Sequence, residues 1–424
     1  MKKVALFVGS CLARSVTAFS LTSLTRRAEP FFVPFLVLVT VIIAISLQVD
    51  DASARIRRVP SEYKTIQKAI DLAEVGDTIL VGPGVYKESL LLRTSASLIS
   101  TQGAAKTIVD AGGRGSALKC DQVDSTATIR GFTFKNGVSD NGGGLFLSSS
   151  FPKVIDNVFT ADSATYGGGL CALWSNSLIK NNKFIGNKAK YGGAIYTMFI
   201  APAIDSNLVE NNKAEIAGGL YFGRSSEARV NGNVVRGNQA RDGGGVFSNR
   251  ASPTLEGNIF KGNKAEQGGA ISAFHSIGII KENVISGNVG SRGGAIALTD
   301  TVAPDIRGNT VINNSAPDSL CAGIYFSSTY MNVTNNIIAH NSPGYAIYCT
   351  AGATPVLSCN ILWDNTTGNY SGVISETADL YEDPLFCAPD KDDFSVREGS
   401  PALSDKCGNI GAKGKGCGTA KVTR

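Results

Sequence analysis

Histidine is scarce in this sequence, and the paired-cysteine motif of many metal and redox sites is missing. The 424 residues include two histidines, His275 and His340, and no Cys-x-x-Cys pair. Without that pair, neither a zinc site nor a dithiol redox motif is predicted. The lysines and arginines are scattered rather than gathered in a dense run, so the net charge of +5 does not predict binding to nucleic acid.

Helical periodicity is also absent from the middle of the chain, where no stretch of ten or more residues repeats apolar residues at i, i+3 and i+4. Instead, an apolar residue follows each glycine pair at steps of 25, 25, 25, 26, 25, 25 and 28 residues. This apolar column consists of Leu145, Leu170, Ile195, Leu220, Val246, Ile271, Ile296 and Ile324. A fixed period in the range of about 20–50 residues is typical of a repeat architecture, in which each unit packs on its neighbours.

Two columns of asparagine share this period. The first is Asn157, Asn182, Asn207, Asn233, Asn258, Asn283, Asn309, Asn336 and Asn360. The second is Asn136, Asp162, Asn187, Asn212, Asn238, Asn263, Asn288, Asn314, Asn341 and Asn365. Short strands broken by Gly and Asn at about 25 residues per unit predict an all-β, parallel β-helix of about ten to eleven coils, each adding about 4.8 Å. Stacked Asn side chains are expected to hydrogen-bond along the solenoid.

Both ends of the periodic region depart from this pattern. Ile66, Ala69, Ile70 and Ala73 predict a short amphipathic helix, followed by a strand over 78–81, and we expect this segment to cap the N-terminal end. A segment rich in Pro, Gly and Cys predicts a cysteine-containing C-terminal cap. The predicted domains are 1–54, a signal peptide or signal-anchor; 55–90, the N-terminal cap and first strands; 91–383, the coils; and 384–424, the C-terminal cap and tail.

These coils resemble right-handed parallel β-helix proteins of the pectin-lyase-like superfamily. Their repeats are also similar to those of chlamydial polymorphic outer-membrane proteins. The motifs that carry the second resemblance are Phe184-x-x-Asn187 with Gly192-Gly193-Ala194-Ile195, and Phe260-x-x-Asn263 with Gly268-Gly269-Ala270-Ile271. The first resemblance implies the fold but not one activity, since this architecture hosts lyases, hydrolases, esterases, epimerases, adhesins and passive binders.

Motifs of several β-helix enzymes are missing. The chain has no Gly-His-Gly as in polygalacturonases, and no Gln-Asp-Thr or Asp-Phe-x-Phe-Gly as in pectin methylesterases. Where alginate epimerases carry Asp-Pro-His-Asp, Asp383-Pro384 is followed by Leu385-Phe386. A hydrolase or esterase is therefore disfavoured, whereas a lyase stays open. No cofactor or metal site is predicted, because no acidic nonapeptide repeat supports the calcium that Asp and Asn oxygens could hold.

The N-terminal segment has the features of an export signal. Phe31–Leu47 is a 17-residue apolar run, preceded by Arg26-Arg27 and followed by Ala52-Ser53-Ala54. A secretory signal peptide is predicted, with a retained membrane anchor through Phe31–Leu47 as the alternative. Removal of residues 1–54 takes away five basic and three acidic residues, leaving a charge of +5 − 2 = +3. We expect a secreted or cell-surface protein that is a monomer.

Eight of the nine cysteines follow residue 54, and an even number in an exported protein predicts disulfides. Cys120 and Cys171 lie two coils apart, about 10 Å, which exceeds the bridging limit of roughly 7 Å. The cysteines expected to form staples gather near the C-terminus, with their connectivity open: Cys349, Cys359, Cys387, Cys407 and Cys417.

The same period places two sets of side chains on one outer face, with successive members about 5 Å apart. One residue after the apolar column lie Cys171, Tyr196, Tyr221, Phe247, Ser272 and Ala297. Four residues after it lie Trp174, Phe199, Arg224, Arg250, His275 and Asp300. Aromatic faces and arginine forks suit an acidic glycan. Aromatics in such a column also stabilise a sheet by cross-strand stacking without any ligand.

Three functions are compatible with this face. The first is non-catalytic binding of a polysaccharide or cell-surface glycan through Tyr196, Tyr221 and Phe247, with further contacts from Trp174, Phe199 and Asp300. The second is a polysaccharide lyase that acts on an acidic glycan, with Arg224, Arg250 and His275 as catalytic candidates. The third is a structural or adhesive surface protein that binds a protein partner. We predict the first.

Overall fold

The computed structural model describes residues 54–424 except 301–303, 319, 328–329, 351, 373–377 and 419–424. The predicted signal peptide or anchor, including Phe31–Leu47, lies outside the described residues. Within the described residues, no helix has the length and apolar character needed to cross a membrane.

The described chain winds into a parallel solenoid, as predicted. Six coils carry four described strands and the others carry fewer, and these short strands pair in parallel with their equivalents in the neighbouring coils. We name the four stacks A, B, C and D, in the order in which the chain passes through a coil. Stack D contains twelve described strands, so the solenoid has one or two more coils than the sequence predicted.

Stacks A and B together form one 25-stranded sheet. The strands of stack A are Ile56–Val59, Thr78–Val81, Ser97–Ser100, Thr128–Arg130, Lys153–Ile155, Leu178–Lys180, Ala203–Asp205, Arg229–Asn231, Thr254–Glu256, Ile279–Lys281, Asp305–Arg307, Tyr330–Thr334 and Ala378–Leu380. Those of stack B are Gly84–Tyr86, Thr107–Asp110, Thr133–Lys135, Val158–Thr160, Lys183–Ile185, Leu208–Glu210, Val234–Arg236, Ile259–Lys261, Val284–Ser286, Thr310–Ile312 and Ile337–Ala339. The long strand Thr354–Trp363 pairs with both stacks.

Stacks C and D follow stack B within each coil. Stack C consists of Val138–Asn141, Ser163–Tyr166, Lys188–Tyr191, Lys213–Ile216, Lys264–Gln267 and Val289–Arg292. Stack D consists of Leu90–Leu92, Leu118–Asp121, Leu145–Ser148, Leu170–Leu173, Ile195–Met198, Leu220–Phe222, Val246–Asn249, Ile271–Phe274, Ile296–Thr299, Cys321–Ser327, Tyr345–Cys349 and Gly368–Ser371.

The core lies inside the coils and is built from columns of like residues. Every member of the predicted apolar column, from Leu145 to Ile324, is at most 1% exposed. On stack B, phenylalanines face inward, and Phe159 and Phe184 stack with centroids 4.8 Å apart. Each coil therefore buries its apolar side chains on the coils next to it, which is how a repeat protein gains stability.

Both asparagine columns form buried ladders that hold the corners of successive coils. The Oδ1 atom of Asn182 accepts hydrogen bonds from the backbone N of Asn157 at 2.9 Å and from its Nδ2 at 3.2 Å. The Nδ2 atom of Asn182 donates to the carbonyl of Val154 at 2.8 Å. The pattern recurs along both ladders, and the first ladder ends at Asp379, which accepts from Asn360.

The second ladder begins at Asp162 rather than at Asn136. Asn136 is the corner residue of the preceding coil, with a φ of 57°. The ladder position of that coil lies one residue later, at Gly137, whose backbone N donates to the Oδ1 atom of Asp162 at 2.8 Å. In the next coil, the Nδ2 atom of Asn187 donates to a backbone carbonyl. The Oδ2 atom of Asp162 takes the place of such a donor, and it is buried without a hydrogen-bond partner among the described residues. Burial raises the pKa of Asp162 well above its ordinary 3.8, so the neutral acid suits this position.

We expect Asp162→Asn to raise the free energy of unfolding near neutral pH by about 1–3 kcal/mol, because the amide supplies the missing donor. The pKa of Asp162 is raised in the folded protein, so this carboxyl ionises at a lower pH in the unfolded chain than in the folded one. Its contribution to stability is therefore lost progressively above about pH 4. Urea unfolding at several pH values should show the two proteins converging in acid and separating as pH rises.

The other ladder end supplies the control for this prediction. Asp379 already has both oxygens satisfied, because its Oδ2 atom accepts from the hydroxyl of Tyr370. We expect Asp379→Asn to give no gain near neutral pH. An equal gain in both variants would contradict the account of Asp162.

A short helix, α1, precedes the second strand of stack A. It spans Ile66–Asp71, begins at the N-cap Thr65, and buries Ile66, Ala69 and Ile70. The carboxylate of Glu88 accepts from the backbone N atoms of Ile66 and Gln67 at 3.0 and 2.9 Å, which satisfies two free donors of the first turn. Its role as an N-terminal cap stays a prediction, as do the bounds of the four predicted domains.

The C-terminal tail runs back along the outer side of stack B. Its elements are the strands Phe386–Ala388, Asp393–Arg397 and Lys415–Cys417 and the 3-10 helices Pro389–Lys391 and Pro401–Leu403. Phe386, Phe394 and Val396 pack in one cluster with the outward residues Ile312 and Ile361 of the coils. The tail thus covers apolar surface that would otherwise face solvent.

Two disulfides fasten this tail, in agreement with the predicted concentration of staples near the C-terminus. Cys359 in the last coils pairs with Cys407, and Cys387 pairs with Cys417 within the tail. Cys349, which was counted with this group, is a buried free thiol. Cys120 and Cys171 are also free and buried, so they are not partners, as the coil spacing predicted.

Candidate ligand-binding groove

The outer faces of stacks C and D meet at an inward bend and form a groove along the solenoid. The bend follows the glycine turns between the two stacks. Gly167, for example, has a φ of 68°, and a Cβ atom there would lie 2.1 Å from the carbonyl oxygen of Leu170. Because the sheet bends inward here, outer rings of the two stacks contact each other. Tyr166 and Tyr196 have centroids 5.1 Å apart, and those of Tyr191 and Tyr221 are 5.9 Å apart.

The floor of the groove is the outer column of stack D. Residues in register along it are Phe146, Cys171, Tyr196, Tyr221, Phe247, Ser272 and Ala297. Tyr196 and Tyr221 stack at 4.7 Å, and Tyr221 and Phe247 follow at 5.6 Å. The structure thus brings together the three residues that the sequence singled out for ligand contact.

These floor aromatics are more enclosed than an open platform. Tyr196 is 4% exposed and Tyr221 is 8% exposed, because they pack with Cys171, Tyr191 and Met198 in a cluster separate from the core. Burial raises the pKa of both tyrosines. Their phenols are therefore neutral near physiological pH and serve as hydrogen-bond donors rather than bases.

The rim of the groove is formed by the corner after stack D, where the backbone is left-handed. Trp174, Phe199 and Arg250 have φ values of 56°, 78° and 53°. His275 and Asp300, at 47° and 48°, continue the rim. The left-handed region is unusual for bulky residues and costs roughly 1–2 kcal/mol for each side chain.

Most other left-handed corners of the same coils carry residues with smaller side chains, for which a positive φ costs less free energy. Between residues 156 and 313, the positive-φ positions after stacks A and B hold Gly, Asn, Asp, Ser, Ala or Glu, and none of these described positions holds an aromatic residue or an arginine. Trp174 and Phe199 are partly to largely exposed and stack on each other at 4.1 Å with an interplanar angle of 11°. Between residues 156 and 313, aromatic and arginine side chains at left-handed corners thus lie only at the corner that borders the groove among the described positions, whereas in a later coil His340, with a φ of 53°, occupies the corner after stack B.

Arg224 lies one residue before the rim position of its own coil, which is occupied by Ser225 with a φ of 59°. This coil contains the 26-residue step, and the extra residue falls in this turn. Arg224 nevertheless reaches the groove. Together with Phe199, Tyr221 and Arg250, it lines an open pocket of about 330 Å³. The structure thus places both predicted arginines beside the aromatic floor.

His275 and Asp300 lie further along the rim, and both are exposed. The His275 ring contacts Phe274, with centroids 4.0 Å apart, and it makes no side-chain hydrogen bond or ion pair with another described residue. A general base is ordinarily oriented by such a partner. Among the described residues, no three His, Cys, Asp or Glu side chains converge as a metal site would require.

The wall opposite the rim was missed by the sequence analysis. It includes Tyr166 and Tyr191, which stack at 5.4 Å on stack C. These residues lie four positions before the apolar column, just as the rim lies four positions after it. The same period could have found them, but the inward bend that brings them over the floor depends on the glycine turns.

Comparison with protein families matches residues 116–277 and 266–380 to the family described as "Right handed beta helix region". Together the two matches span more than half of the chain. Among curated protein sequences, none matches this chain significantly. The likeness to chlamydial polymorphic outer-membrane proteins stays a prediction.

Several solved structures are similar to this chain at low identity. The A-module of the mannuronan C-5 epimerase AlgE6 from Azotobacter vinelandii is 15% identical, covers 76% of this chain and 95% of its own, and has a TM-score of 0.42. The PL6 family alginate lyase AlyGC is 15% identical over 86% of this chain and 59% of its own, with a TM-score of 0.45. The pectate lyase Pel9A is 10% identical over 80% and 84%, with a TM-score of 0.40. At these values the likeness gives no indication of what this chain binds.

Proposed function

This chain belongs to the right-handed β-helix family, and we propose that it binds an acidic polysaccharide without catalysis in the groove between stacks C and D. The family shares an architecture rather than one activity, so the proposal rests on the site itself. The observation that carries it is the rim, where large side chains occupy a strained backbone position that glycine would fill at lower cost. Such residues gather at ligand-binding sites, where the side chain outweighs the strain.

The charge of the groove favours an anionic ligand. Arg224 and Arg250 are exposed on the rim side, and neither forms an ion pair with another described residue. By contrast, Arg241 across the groove is paired with Glu215 and Asp242. Free guanidinium groups beside aromatic rings can pair with carboxylates or sulfates while the rings contact the flat faces of sugars.

The shape of the groove favours an extended ligand. The floor runs across strands of successive coils, and each coil adds about 4.8 Å. A linear polymer that lies along the solenoid would therefore meet a repeated set of contacts, from the rim pair Trp174 and Phe199 to the pocket beside Arg224. A small molecule would use only one of them.

A lyase remains the competing function, and the groove offers it less support. Burial raises the pKa of the Tyr196 and Tyr221 phenols, so both stay protonated near neutral pH, which disfavours a tyrosinate base. The three catalytic candidates, Arg224, Arg250 and His275, make no side-chain hydrogen bond or ion pair with another described residue that would orient one of them as a base. The third candidate, a structural or adhesive protein, would leave the free arginines and the exposed rim aromatics without a ligand.

The two disulfides support an exported location, since such bonds persist in oxidising compartments. We propose a secreted or cell-surface protein that acts as a monomer. A membrane anchor through Phe31–Leu47 is the alternative to secretion.

Calorimetry against polygalacturonate, alginate, heparan sulfate and neutral dextran tests the proposed function. We expect binding to at least one acidic polymer, weaker at high salt because exposed charges are screened, and none to dextran. Ultraviolet absorbance of the unsaturated uronate product should stay flat. A rise in this absorbance would establish a lyase, and no binding to any of the polymers would favour an adhesive protein.

A further inference from the structure

The aromatic floor of the groove resumes beyond Ala297. After Ser272 and Ala297, the outer column of stack D continues with Tyr325 and Tyr348, which are in register with Ala297. Their rings stack at 5.6 Å with an interplanar angle of 15°, and Tyr345 packs beside Tyr348 at 6.2 Å. Both Tyr325 and Tyr348 are partly exposed. This second platform is therefore more open than the stacked pair Tyr196 and Tyr221.

A slot separates the two aromatic stretches, because Ser272 and Ala297 have small side chains. An open pocket of about 370 Å³ lies there, between the end of the first floor at Phe247 and the side chains of Gln267 and Arg292 on the wall. Asp242 and Arg241 also line it, and the carboxylate of Asp242 is neutralised by its ion pair with Arg241. From Phe247 to Tyr325 the register advances by three coils, about 14 Å. The slot is thus wide enough to receive part of a polymer that continues onto both platforms.

Arg292 is the charged group between the slot and the second platform. It is exposed, and it forms no ion pair with another described residue. Its positive charge is close enough to Tyr325 to oppose the rise in the pKa of that phenol that burial causes. A cation beside an aromatic stack repeats the arrangement of Arg224 and Arg250 beside Tyr221.

We propose that Tyr325, Tyr348 and Arg292 form a second subsite for the same acidic polymer, with an anionic group of the polymer seated in the slot beside Arg292. This inference rests on the proposed function and extends it, because it defines the ligand as a long chain. From Tyr196 to Tyr348 the register spans six coils, about 29 Å. A polymer that reaches both ends gains from a second, intramolecular contact, whereas a short fragment occupies one subsite at a time.

The test compares long and short size fractions of polygalacturonate on the wild type, Tyr348→Ala and Arg292→Gln. We expect the affinity for the long fraction to fall by about tenfold or more in both variants. Affinity for the short fraction should change little, because short chains keep the contacts at Trp174 and Phe199. Arg229→Gln is the charge-matched control, since Arg229 is an exposed residue of stack A, away from the groove. Thermal unfolding of each variant checks that the coils are intact.

The possible failures are distinguishable. In one failure the variants lose the same affinity for the long and the short fraction, and in another they lose none while the wild type binds. In either case the second subsite is wrong and the proposed function stands. If the wild type binds neither fraction of polygalacturonate nor any polymer of the panel, the proposed function fails and the subsite fails with it. A merely structural stack of tyrosines would lower the unfolding temperature of Tyr348→Ala without making its effect on affinity depend on chain length.

Discussion

Asn233→Leu is expected to lower the free energy of unfolding by about 2–6 kcal/mol, because it breaks the first asparagine ladder at an interior position. The Oδ1 atom of Asn233 accepts from the backbone N and the Nδ2 of Asn207 at 2.8 and 2.9 Å. Its Nδ2 atom donates to the carbonyl of Ile204 at 2.7 Å. Asn233 is fully buried, so no water replaces these bonds. Leucine would leave at least one buried donor and one buried carbonyl without a partner.

The measurement is the urea midpoint and slope of both Asn233→Leu and a matched variant in the same coil. Asn231 is exposed, so Asn231→Leu makes the same chemical change without touching the ladder, and we expect it to cost less than about 0.5 kcal/mol. The slopes should be compared because solenoids can unfold in parts. Equal costs in the two variants would show that the ladder does not hold the coils together.

The double replacement Trp174→Gly and Phe199→Gly is expected to separate binding from stability. Affinity for the acidic polymer should fall by roughly tenfold to a hundredfold, since two ring faces at about 1 kcal/mol or more each are lost. Stability should change by about 1 kcal/mol or less. Glycine relieves the left-handed strain, and that gain offsets the lost stacking between the rings and the greater entropy of glycine in the unfolded chain.

Asn181→Gly provides the backbone control for this prediction. Asn181 has a φ of 55° at an exposed corner after stack A, away from the groove. We expect its affinity to equal that of the wild type. A large loss of stability with unchanged affinity in the double rim variant would mean that Trp174 and Phe199 serve the fold alone.

The period of the sequence was enough to predict the solenoid and its inner columns. Each coil must keep the register of its neighbours, so Leu145 and its equivalents, and the asparagines of both ladders, recur at the step of the backbone. Asp162 shows the limit of this reasoning. Its position fits the column. That it lacks the hydrogen-bond donor of an asparagine side chain matters only because its Oδ2 atom is buried where Asn187, in the next coil, donates to a carbonyl.

Features that depend on how outer faces curve and what covers them could not be predicted in this way. Tyr196 and Tyr221 point outward as the alternation indicates, yet the bend at the glycine turns encloses them beneath stack C. The extra residue near Arg224 can fall anywhere in its coil until the register is known. The path of the tail depends on outward apolar residues such as Ile312 and Ile361, which look like ordinary strand residues in the sequence.

The central claim is that the ligand occupies the groove beside its rim, and the fluorescence of Trp174 tests it most directly. The chain has two tryptophans, and Trp363 lies in the cluster that packs against the tail, so Trp363→Phe leaves Trp174 as the reporter. Titration of this variant with the acidic polymer that binds by calorimetry should shift and saturate the Trp174 emission at the same midpoint, while dextran leaves it unchanged. Saturated binding by calorimetry with no change in Trp174 emission would place the ligand elsewhere and contradict the account.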